Sequence, residues 1–131
     1  MTYNKETVDV LKINKTVEET VERIKQVFQE MGASILFTIN FQESLKKKTK
    51  TDIGECIEVG FCFPPVALKW AQIHKSLMSF LPGRVTVYAE NNETFVSFLN
   101  LKPIVELIGN EELINMVKNR DMSAFVEKLQ N

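Results

Sequence analysis

Two cysteines, one histidine and a scatter of carboxylates are the groups in this 131-residue chain with the chemistry to act on another molecule. Cys62 is the sharpest of them. It stands where a β-rich run, Glu55 to Phe61, gives way to Phe63-Pro64-Pro65, so it falls at a strand end just ahead of a helix beginning near Pro65. A helix N-terminus presents free N–H groups and a positive dipole end, which lower a thiol's pKa and favour the nucleophilic thiolate. Cys62 is therefore the candidate catalytic residue, as a redox thiol or a sulfur carrier. Against it stands the commoner fate of a free cysteine, an inert packed side chain. Cys56 cannot bridge to Cys62 within one continuous strand. Six residues at about 3.3 Å each hold the Cα atoms ~20 Å apart, and a disulfide spans at most ~7 Å. An intermolecular bridge across a dimer remains open.

Glu58, Arg84 and Tyr88 are the candidate binding residues of the next rank, with Glu90 and Thr86 near them in strand alternation. A carboxylate among hydroxyls binds a polar ligand or serves as a base, though a solvated strand face reads the same way. His74, the only histidine, follows Ile73 and precedes Leu77 by three positions. It flanks an apolar stripe, a place for a base or ligand-binding group and also for an ordinary boundary residue. No Cys-x-x-Cys, His-x-Glu or His-rich cluster occurs, so no metal site is expected. Nor is there a phosphate loop, a nucleophile elbow or a Ser-His-Asp order, and no cofactor is expected.

Composition narrows the setting for these groups. The length suits one domain, 1–131, and 44% hydrophobic with 25% charged residues is ordinary globular usage. A formal net charge of −1 speaks against nucleic acid or an anionic membrane as partner. The Lys46-Lys47-Lys48-Thr49-Lys50 run reads as a solvated loop. The first six residues carry no secretory h-region and no apolar stretch approaches the ~18 residues of a span, so a cytoplasmic protein is expected.

The elements that must position these side chains follow from periodicity. A first strand spans Glu6 to Asn14. Thr16-Val17-Glu18-Glu19 is a capping box, Val17, Val21, Ile24, Phe28 and Met31 form a helical stripe, and Gly32 is a left-handed stop. Ala33, Ile35, Phe37, Ile39 and Phe41 alternate as a strand with one buried face, followed by a helical turn and basic loop over Gln42 to Lys50. After the strand with Ile57, Val59 and Phe61, a second amphipathic helix carries Val66, Trp70, Ile73 and Leu77, with Trp70 in the core. Arg84–Glu90 and Glu93–Leu99 flank Asn91-Asn92 as a hairpin. Short helices follow, through Ile108, around Leu113 to Asn119 and from Met122 to Gln130. The order β-α-β-β-α-β-β with C-terminal helices predicts an α+β, two-layer α/β sandwich on a mostly antiparallel sheet. Its helix-free face would carry Thr38, Cys56, Glu58, Thr86, Tyr88 and Phe98, a mixed surface suited to a wet interface or ligand site.

Three segments together, Glu58 to Pro64, Leu81 to Glu90 and Val96-Ser97-Phe98 followed by Pro103, resemble the domain-of-unknown-function family 302. The helix Thr16 to Met31 with Gly32 is similar to that family's opening pattern. The family-like core covers about 10–108, with a C-terminal helical extension of about 109–131. The resemblance implies a compact α/β fold, frequent homodimers and no established activity. Members often have Cys or Gly followed by Asn-Pro where this chain has Cys62-Phe63-Pro64, and often a Cys after Leu-Pro where it has Gly83. A thiol pair built from those two positions is impossible here. Two readings result: a non-catalytic homodimeric module binding a small ligand or protein partner, or a thiol-dependent protein using Cys62.

Overall fold

The computed structural model describes residues 3–118 and 123–131. The described residues form five strands: β1 (Val8–Ile13), β2 (Ser34–Asn40), β3 (Cys56–Cys62), β4 (Gly83–Glu90) and β5 (Glu93–Leu99). Six helices accompany them: α1 (Val17–Glu30), α2 (Phe41–Thr49), α3 (Pro64–Ile73), α4 (Leu101–Ile108), α5 (Glu111–Lys118) and α6 (Ser123–Gln130). Asn119 and Met122, placed in helices from sequence, lie outside the described residues.

Local chemistry sets the boundaries. The Thr16 hydroxyl accepts the Glu19 N–H at 3.1 Å to start α1, and Gly32 leaves it at φ 92°, where a side chain would be strained. Asn40 caps α2 and Asn100 caps α4 in the same manner. Asn91 and Asn92 both take positive φ, 54° and 64°, and turn β4 tightly into β5. The lysine run is helical rather than a loop: Lys46, Lys47 and Lys48 occupy the last turn of α2, where positive charge suits the exposed carbonyls.

The sheet is antiparallel throughout, in the order β1-β5-β4-β3-β2. One face is buried under α1 and α6. Val21, Ile24, Val27 and Phe28 of α1, with Phe125 and Leu129 of α6, pack on Ile13, Val59, Val85, Val87 and Val96. Phe28 stacks between Phe61 and Phe125, at centroid distances of 4.1 and 4.9 Å. Val27 takes the stripe position expected of Met31, which is exposed at the helix end.

The α+β sandwich is therefore present, but its second covering helix is α6. The stripe of Val66, Trp70, Ile73 and Leu77 serves a different core. His74 breaks it with φ −167° and ψ 135°, and a 3-10 turn, Lys75–Phe80, follows. Trp70, Val105 and Leu113 then form a second buried cluster among α3, α4 and α5. These helices attach at one end of the sheet, where β3 leaves into α3, β4 enters, and β5 leaves into α4.

β2 departs from simple alternation. Its register against β3 shifts between Ile35 and Phe37. Ile35 opposes Phe61 on the helix-covered side, while Phe37 opposes Gly60 and Ile39 opposes Glu58. A β-bulge at Leu36 reverses the faces of the strand. Thr38, expected on the open face, opposes the buried Val59 instead. Phe98 is likewise on the covered face, packed edge-on against Phe125 at 6.3 Å.

Candidate functional site

The open face is built row by row from residues whose neighbours in each strand face the helices. Cys56, Tyr88, Phe95 and Lys12 lie side by side across β3, β4, β5 and β1. The next row is Ile39, Glu58, Thr86, Ser97 and Val10. Beyond it come Phe37, Gly60 and Arg84. Tyr88 and Phe95 stack at 5.4 Å, with rings 21° apart. A side chain added at Gly60 would run into the Phe37 ring, so that ring occupies the space over the bare Cα. Val10 and Leu99 are each 47% exposed on this face.

Glu58 and Arg84, singled out in the sequence, do meet. The Arg84 Nε lies 3.7 Å from a Glu58 carboxylate oxygen. The carboxylate side chain is only 16% exposed and the arginine 60%, so the acid is sheltered and the base reaches outward. Thr86 stands beside Glu58 in the ladder and Ser97 beside Thr86, which lines hydroxyls along the carboxylate's row. At the face's edge Lys12 is ion-paired with Glu93. Burial pushes the Tyr88 phenol up from its ordinary pKa, with the charge of Glu90 adding to it. Burial also raises the Cys56 thiol, assisted by Glu58. Cys56 is thereby held in its protonated, less nucleophilic form.

Cys62 ends β3 two residues before α3 begins with Pro64 and Pro65. It is half-buried and, like Cys56, a free thiol. By strand alternation both point to the open face, at opposite ends of β3. His74 is not part of this face. It lies at the far end of α3, some 15 Å of helix away from Pro64, exposed, with Nδ1 accepting the Ser76 N–H at 3.1 Å and 2.7 Å from the Ser76 hydroxyl. It caps the 3-10 turn, which accounts for its position without a ligand. Trp70 is core, 2% exposed.

Sequence reasoning missed Phe37, Ile39, Val10 and Phe95 as members of the open face. Phe37 and Ile39 follow from the bulge, which leaves no mark in residue type. Val10 and Phe95 follow from strand parity and were legible once the hairpin was placed. A broad open cleft of about 840 Å³ at the other end of the sheet was also missed; Lys15, Glu19, Glu55 and Glu93 are among the residues that line it. No group of three or more potential metal ligands occurs among the described residues, and no described helix is long and apolar enough to cross a membrane.

Comparison with known proteins bears on the fold. The family model of the domain of unknown function DUF302 matches residues 9–130, so the C-terminal helices fall within the match. A crystal structure of an uncharacterised conserved DUF302 protein from Bacillus stearothermophilus is similar, with a TM-score of 0.80 and 19% sequence identity. The similarity covers 94% of this chain and 92% of that one. No curated protein matches the chain.

Proposed function

We propose, for a chain that belongs to the DUF302 family, the role of a non-catalytic, cytosolic, single-domain homodimer whose open sheet face takes a small ligand or a protein partner. The observation that carries this reading is the pairing of a sheltered carboxylate with a group of aromatic side chains on one half-exposed face. Glu58 is turned in beside Arg84, while the Tyr88–Phe95 stack and Phe37 over Gly60 supply planar apolar area. Aromatic residues with a few fixed polar groups are the usual make-up of a binding surface. A planar ligand with a hydrogen-bond donor fits it: the ring lies on the aromatic side chains and the donor reaches Glu58, Thr86 or Ser97.

The test is a titration of isotope-labelled protein with fragment-sized aromatic amines, followed by backbone amide shifts. Shifts concentrated on Cys56, Glu58, Thr86 and Tyr88, and abolished by Glu58→Gln, support the reading. Shifts confined to other surfaces, or none at millimolar fragment, refute it. Cys62 supports a second reading, a thiol-dependent redox or sulfur-carrier protein, because it stands directly before the start of α3. Alkylation of each cysteine across pH, read by peptide mass, separates the two. Cys62 reacting with an acidified thiol profile favours the second; Cys62 inert until unfolding removes it.

A further inference from the structure

The sheet has two edges, and they are finished differently. At β2 the bulge at Leu36 interrupts the ladder, a device that discourages pairing with another strand. At β1 the register runs unbroken from Val8 to Ile13, with no bulge and no proline.

The direction of the β1 main-chain groups is fixed by two bonds. The Asn100 N–H donates to the Thr7 carbonyl at 2.9 Å, so Thr7 faces β5. Alternation then turns Asp9, Leu11 and Ile13 toward β5, and Val8, Val10 and Lys12 outward. Consistent with this, the Lys12 carbonyl accepts a bond from the Gln130 side chain at 3.2 Å, outside the ladder. Among the described residues no partner meets the outward N–H or carbonyl of Val10.

We infer that β1 is the self-association surface: two copies pair β1 to β1, antiparallel, about a two-fold axis through Val10. This rests on the homodimeric binding module proposed above and identifies how it assembles. A second copy fits because the strand is complementary to itself in this register. Val10 exchanges both of its main-chain bonds with the partner's Val10 and sets a β-branched pair on the open face. Val8 then opposes the partner's Lys12, whose carbonyl uses its second lone pair for the Val8 N–H while the first keeps the Gln130 side chain, and Asp9 opposes the partner's Leu11, so no like charges face each other. Centring the axis on Asp9 or on Lys12 would set carboxylate against carboxylate or ammonium against ammonium.

An axis perpendicular to the sheet keeps both open faces on the same side. The dimer then has a ten-stranded sheet, and the binding face becomes one continuous platform with the partner's β1 contributing to it. Edge pairing buries little area beyond the strands themselves, so the dimer is of the reversible, concentration-dependent kind.

The experiment is sedimentation of full-length chains carrying Val10→Lys, Val10→Glu, or an equimolar mixture of the two. Wild type is expected at twice 15.1 kDa when concentrated, each variant alone at the monomer mass, and the mixture restored to the dimer. Thr86→Lys, in the middle of the open face, leaves the dimer mass unchanged. Amide exchange adds a readout that spares the side chain: the Val10 N–H of wild type slows as concentration rises. A wild type that stays monomeric at millimolar concentration overturns both the dimer and this interface. A wild-type dimer that survives Val10→Lys, or that Thr86→Lys dissociates, overturns the interface alone. Failure of the fragment titration touches the binding role and leaves the β1 pairing standing.

Discussion

Gly60→Ala tests the placement of Phe37 quantitatively. A Cβ at position 60 points onto the open face and into the Phe37 ring. Because both belong to adjacent strands in register, neither backbone can simply step aside. Forcing an extra methyl into such a contact costs about 1–3 kcal/mol. Phe37→Ala empties the space, and the same change in that background gains back about 0.5–1 kcal/mol, because glycine is a poor strand residue. The two substitutions should therefore couple by about 1.5–4 kcal/mol. Urea unfolding followed by the fluorescence of buried Trp70 and by circular dichroism gives the four stabilities of the cycle. At about 2 kcal/mol per molar, a typical slope, Gly60→Ala alone lowers the midpoint by roughly 0.5–1.5 M. Additivity within about 0.5 kcal/mol would refute the reasoning. It would mean that the Phe37 ring does not press on Gly60 in the folded protein.

Three further outcomes are expected. Phe125→Ala removes a 1%-exposed ring stacked on Phe28 and should cost about 3–5 kcal/mol in urea unfolding; a loss below 1 kcal/mol would mean α6 is not anchored in the core. Thr16→Ala deletes the bond to the Glu19 N–H and should cost about 1 kcal/mol by the same assay, with Thr16→Ser recovering most of it. Cys56 and Tyr88 both have raised pKa values in the fold, chiefly from burial. The stability linked to them is whole below their ordinary values, ~8.5 and ~10, and is lost as pH climbs through the raised ones. Urea midpoints measured across that alkaline range should fall, less steeply in Tyr88→Phe; identical curves for the two proteins would contradict the assignment.

The sequence was most legible where one local signal suffices. The Thr16 cap on the Glu19 N–H, Gly32 and the Asn91-Asn92 turn each fix a boundary by their own hydrogen bond or φ and are found as expected, although of the capping box only the Thr16 half is formed. The meeting of Glu58 with Arg84 was also within reach, since strand alternation puts both on one face. What failed needed knowledge of partners. Trp70 and Leu77 show a helical apolar stripe whether they cover a sheet or, as here, contribute to a cluster with α4 and α5. Phe125 and Leu129 reach the sheet from far along the chain, and their short amphipathic helix gives no hint of its destination. The bulge at Leu36 is set by pairing against β3, so Ser34 to Asn40 reads as clean alternation even though its halves face opposite ways.

That bulge is one residue in excess of the ladder. Ile35 and Phe37 oppose Phe61 and Gly60, which are consecutive in β3, so Leu36 has no counterpart. Removing Leu36 would close the ladder and leave Phe37, Thr38 and Ile39 on the faces they already hold. What a single-codon deletion takes away is the interruption itself. The outer strand would then run as evenly as β1, and the sheet would have two sticky borders in place of one. Chains of such a protein could add to each other from both sides, and a closed pair would become an open-ended ribbon.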